Sequence, residues 1–132
     1  MKYKITLTEE QLRIVRVALE EYFRLRMGQD MDFCNDLAFL GRKDVYDTSD
    51  PDHERIFDRY ISRRNHMREV MQAFFRIAFP PYGVPEEKTN DVLIAEDIWD
   101  AIRVKLGISR WGRVLGVGPE PIPEIEVEEE PC

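Results

Sequence analysis

The chain reads as a mainly α-helical domain with a small β component (α+β): four helices plus a small antiparallel sheet formed by N- and C-terminal strands, expected to form across an oligomer. Three observations predict this. Four stretches carry apolar residues at helical spacing, and each is bounded by cap-type residues, glycine or proline. Both ends alternate apolar and charged residues with opposite sign of charge. With 132 residues, 43% of them hydrophobic, the chain has the material for one continuous core. Residues 1–118 are expected to be a single helical domain that includes the N-terminal strand, and residues 119–132 an acidic Pro/Glu-rich strand or tail.

Tyr3, Ile5 and Leu7 alternate with Lys2, Lys4 and Thr6, the period of a half-buried strand. Thr8-Glu9-Glu10-Gln11 has the capping-box order and opens a first helix that runs to Met27 before Gly28. Gln29 to Gly41, with Phe33, Leu37 and Leu40 at helical spacing, predicts a shorter second helix. The Asp-rich Arg42–Asp50 stretch has no period. Asp50-Pro51 then offers a cap and a first-turn proline for a third helix, which Phe79-Pro80-Pro81 must stop. Thr89-Asn90 caps a fourth helix that ends at Gly107. Beyond it, Gly112, Gly116, Gly118 and four prolines dictate extended chain. Within that stretch Ile125 and Val127 alternate with Glu124, Glu126 and Glu128, so pairing with the Lys2/Lys4 face is expected; the alternative is a disordered acidic tail.

The net charge of −7 argues against duplex nucleic acid as a partner, since phosphate-backbone binding needs a basic face. The average hides a segregation, because six acidic residues lie between Glu120 and Glu130 and leave helix surfaces locally basic. A compact anion therefore stays open as a ligand. Of the 19 basic residues 14 are arginine, whose guanidinium binds carboxylate or phosphate in a bidentate fork. Cys34 and Cys132 make no disulfide or metal framework. The N-terminus lacks an apolar signal core, and no apolar run approaches the roughly 18 residues of a membrane span, so a cytoplasmic, membrane-free protein is expected.

Arg26 and Arg64 are the informative positions. On a wheel of about 100° per residue Arg26 falls inside the stripe of Leu12, Val15, Ala18, Leu19 and Tyr22. Arg64 falls near the centre of the stripe of Ile56, Phe57, Tyr60, Met67, Met71, Phe74, Phe75 and Ala78, flanked by Arg63 and Arg68. A guanidinium facing the core must meet an anion, because unpaired burial costs several kcal/mol. Internal carboxylates at Asp30, Asp36 or Asp91 are the commoner answer. The sharper one is a phosphate-bearing ligand held by Arg26, Arg63, Arg64 and Arg68, with Tyr22 and Tyr60 as aromatic faces for a base. Gly28-Gln29 could bring backbone toward such a ligand, although a helix C-cap is the simpler role for Gly28.

No zinc-protease, paired-cysteine, P-loop or nucleophile-elbow motif occurs, and Gly116-Val117-Gly118 lacks the strand and helix of a dinucleotide loop. On the fourth helix only Asp97 or Asp100 can approach the inner face, and no Glu-x-x-His partner exists for a carboxylate metal site. No catalytic residue, metal or cofactor is expected. Trp99 and Trp111 read as core or interface anchors.

The runs YFRLRMGQ (22–29), DLAF (36–39), YISRRN (60–65) and LIAEDIWDAIR (93–103) resemble small, functionally unassigned accessory proteins of tailed bacteriophages. The resemblance implies a non-catalytic phage protein in the host bacterial cytoplasm and carries over no established site residues. By analogy of context, a homo-oligomer sequestering a cyclic nucleotide of host immune signalling fits the arginines and tyrosines. The alternatives are an inhibitor or adaptor that engages a basic host protein through the acidic loop and tail, and a structural phage protein with buried ion pairs.

Overall fold

The protein is described here by a computed structural model covering residues 1–39, 47–109 and 112–129. Four helices make up its regular structure: α1 (Glu9–Arg26), α2 (Met31–Phe39), α3 (His53–Ala78) and α4 (Asn90–Lys105). The described residues contain no strand, so the expected terminal sheet does not exist and there is none for two copies to share. Physical reasons are visible at both ends. Tyr3 and Ile5 are 81% and 78% exposed, so the alternating N-terminal face has nothing to pack on, and a lone two-stranded ribbon is marginal in water. At the other end Val127 is 70% exposed, so the alternation of Glu124–Glu128 likewise has no surface to bury its apolar side. Residues Glu124–Val127 instead line a shallow groove with Lys105.

The chain forms two compact units, residues 1–23 with 87–132 and residues 24–86. In the first, α1 opens with the expected reciprocal capping box: the Gln11 N–H donates to Thr8 Oγ1 (3.1 Å) and the Thr8 N–H to Gln11 Oε1 (2.9 Å). Phe23 meets Trp99 edge to face at 5.2 Å, above a small core of Val92, Ala95, Ala101 and Ile102 on α4. The C-terminus of α4 closes in a Schellman motif, with Gly107 donating to Val104 (3.1 Å) and Ile108 to Arg103 (3.0 Å).

In the second unit α2 packs on α3. Its core is Cys34 and Ala38 from α2, with Tyr60 and Phe75 from α3, and the Phe39 ring meets Tyr60 at 5.9 Å. The last turn of α1 ends in the same Schellman pattern, Gly28 donating to Leu25 (3.2 Å) and Gln29 to Arg24 (2.8 Å). Gly28 has φ +74°, and a Cβ there would stand 2.1 Å from the Gly83 carbonyl oxygen. Gly28 is thus a C-cap pressed against a second loop. The third helix starts at His53, two residues after the expected Pro51. Asp50 builds a turn in place of a cap, its Oδ1 accepting from the Asp52 N–H (2.8 Å) and its carbonyl from the His53 N–H (3.0 Å). The expected end of the second helix at Gly41, the Arg42–Tyr46 part of the loop, Trp111, Glu130 and Cys132 lie outside the described residues.

Candidate functional site

The arginines singled out by the sequence do not behave alike. Arg26 sits in the last turn of α1 and is exposed. On α3, Arg63 is exposed and lays its guanidinium over the Tyr60 ring at 5.3 Å, a cation–π contact. Arg64 is half-buried, and its Nε and Nη2 donate to Asn65 Oδ1 at 3.3 and 3.1 Å. Arg68, one turn on, reaches the carboxylate of Asp30 with Nε at 3.3 Å from Oδ1.

Asp30 stands just ahead of α2, where its carbonyl accepts from the Cys34 N–H (2.9 Å) and begins the helix. It is 4% exposed, and its Oδ2 is buried without a hydrogen-bond partner. A nearly buried carboxylate needs its counter-ion, because removing one partner of such a pair strands a charge. The carboxylate of Asp30, one of the internal acids anticipated from the sequence, thus has Arg68 as its base. Cys34 lies within the same field. Burial first, and then the negative charge of Asp30, push its thiol above the usual range, while Arg68 and Arg64 pull in the opposite direction. The net effect keeps the thiol protonated and unreactive.

The two tyrosines are placed differently from a pair of base platforms. Tyr22 belongs to the first unit, where its hydroxyl donates to Asp91 Oδ2 at 2.5 Å and the Thr89 hydroxyl donates to the other oxygen of the same carboxylate. Tyr60 is 6% exposed, between Phe39 and Arg63. Of the six expected site residues, the second unit therefore carries Arg26, Tyr60, Arg63, Arg64 and Arg68, with Arg63, Arg64 and Arg68 within two turns of one helix.

Sequence reasoning missed a second buried carboxylate arrangement in the first unit. Asp97 on α4 is 5% exposed and accepts from two successive backbone groups, the Val117 N–H to Oδ1 at 2.9 Å and the Gly118 N–H to Oδ2 at 2.8 Å. A Cβ at Gly118 would stand 2.9 Å from Oδ2 and 3.0 Å from the Leu93 carbonyl carbon. The glycine pair read as a failed dinucleotide loop is thus the seat of a carboxylate clamp on the C-terminal segment. Its only signal was the position of Asp97 toward the inner face of the fourth helix, which does not tell a backbone partner from any other.

No family model, curated protein or solved structure matches this chain. Among the described residues no helix is long and apolar enough to cross a membrane, and no group of three His, Cys, Asp or Glu side chains is gathered as for a metal ion.

Proposed function

We propose that this protein works by binding rather than by catalysis, taking a compact anion of the phosphorylated-nucleotide class at the arginines of α3. The observation that carries the reading is Arg64: half-buried, it meets the neutral Asn65 amide oxygen and no carboxylate among the described residues. A partly desolvated guanidinium without a counter-ion gains more from a phosphate than a fully hydrated one does. Arg63 beside it adds an exposed second fork, and Arg68 contributes little net charge because Asp30 already neutralises it. The resemblance to tailed-phage accessory proteins makes a nucleotide of host immune signalling, sequestered intact in the host cytoplasm, the ligand to test first.

The test is thermal unfolding of the protein and of Arg64→Ala with phosphate, sulfate, and linear and cyclic nucleotides. A ligand at 100 times its Kd stabilises the folded state by about 2.7 kcal/mol, a rise of several degrees in Tm for a chain of this size. The expected result is a rise with one nucleotide class that Arg64→Ala removes, the ligand being recovered unchanged after denaturation. Equal shifts in both proteins, or none in either, would sink the reading.

One observation favours a second reading, a binder of basic proteins. The Asp97 clamp fixes the root of a segment whose Glu120, Glu124, Glu126, Glu128 and Glu129 are all exposed, which suits electrostatic steering of a cationic partner. Removing residues 120–132 is expected to abolish capture of a lysine-rich peptide at low salt while leaving nucleotide-induced shifts in place; retained capture would exclude the tail as the binding element.

A further inference from the structure

We propose that α3 is also a self-association surface, pairing antiparallel with α3 of a second copy of this chain. The apolar arc of the helix is wider than the part it buries. The buried part carries Tyr60 and Phe75. Its exposed flank holds Val70, Phe74 and Ile77 at the i, i+4, i+7 spacing of a single stripe, and they are 59%, 60% and 82% exposed. Ala73, also exposed, fills the gap between them. Three large apolar side chains within two turns, on the exposed flank of the buried face, form a contiguous patch of the kind that marks an interaction site.

Charge complementarity selects the occupant. Glu69 and Arg76 border the same edge of this stripe, seven residues apart, both exposed and neither in an ion pair among the described residues. When two identical helices pair antiparallel about a two-fold axis, the same edge of each faces its counterpart. An axis near Ala73 then sets Val70 against the partner copy's Ile77, and Glu69 against the partner copy's Arg76. Symmetry repeats each contact, so one helix supplies both halves of two ion pairs and the whole apolar seam. A parallel pairing turns this edge toward the partner copy's Met67 and Met71 side and leaves all four charges unmatched. The pairing does not rest on the anion reading.

The deciding experiment is sedimentation equilibrium of the full chain and four variants, with helical circular dichroism verifying that each is folded. The wild type is expected at twice the mass of one chain. Phe74→Glu places a charge in the seam, and Glu69→Arg or Arg76→Glu alone sets like charges against each other, so each is expected at the mass of a single chain. Combining Glu69→Arg with Arg76→Glu restores opposite charges and is expected to restore the doubled mass. A wild type that stays at the mass of one chain would give the stripe to some other partner and overturn the pairing. A doubled mass that survives Phe74→Glu overturns the surface, and a double charge swap that fails to recover it overturns the antiparallel register.

Discussion

Gly28→Ala is expected to lower the stability of the protein by about 3–5 kcal/mol, while Gly107→Ala, at the equivalent place in the other Schellman motif, costs only about 1–2 kcal/mol. Both glycines hold nearly the same left-handed backbone, φ +74° and +71°, and close the same pattern of backbone hydrogen bonds. A side chain at either site therefore pays the same conformational penalty. They differ in what surrounds them. A Cβ at Gly107 meets nothing within 4 Å, whereas one at Gly28 meets the Gly83 oxygen at 2.1 Å and the Val84 Cα at 3.4 Å. The obstacle is backbone, held in turn by the Gly83 N–H donating to the Phe79 carbonyl at 2.8 Å, so it cannot swing aside as a long side chain would. Urea unfolding of the two variants separates the contributions: the shared loss measures the backbone conformation, and the excess at Gly28 measures the packing of the loop after α3. Equal losses at the two positions would show that this close approach is not maintained in solution.

The same comparison shows what a sequence can and cannot deliver for this fold. Helix starts and stops were legible where a local rule sets them: Thr8 with Gln11 at the head of α1, Gly28 and Gly107 at the ends of α1 and α4, and the double proline after Ala78. These depend on neighbours in the chain, which the sequence displays. The terminal sheet failed because alternation specifies a face but not a surface to bury it, and Tyr3 and Ile5 have none. Among the site residues, a wheel position gives direction and not depth. Arg26 points along the apolar stripe of α1 but sits in its last turn, and is exposed; Arg68 lies at the edge of the α3 stripe and is the arginine that reaches buried Asp30. Phe74 falls in the apolar stripe for the same reason, yet it is exposed with Val70 and Ile77 on the flank of the buried face. Periodicity gives the width of an apolar arc and not how much of it is covered.

Asp97 is the position where the largest side-chain effect is expected. Its two carboxylate oxygens accept from the Val117 and Gly118 N–H groups at 2.9 and 2.8 Å, and the residue is 5% exposed. Hydrogen bonds to a charged acceptor contribute about 1.5–3 kcal/mol each, so with partial rehydration of the freed amides Asp97→Ala is expected to cost about 2–4 kcal/mol. Asp97→Asn keeps the shape and one acceptor but turns an amide group toward the other N–H, and about half of that loss is expected. Stability alone does not locate the damage, since any core truncation lowers it. The clamp makes a local claim as well: residues 112–129 are held to α4 through this carboxylate, so in Asp97→Ala a protease should cut that segment at concentrations that leave the wild type whole. Gly118→Ala supplies the independent control. It leaves the carboxylate in place but sets a methyl 2.9 Å from Oδ2 and 3.0 Å from the Leu93 carbonyl carbon, so the segment must move off its seat. Cleavage of the C-terminal segment in both variants, with the helices still folded by circular dichroism, assigns Asp97 as its anchor. Wild-type resistance in both would mean that other contacts hold the segment and that the buried carboxylate has no anchoring role.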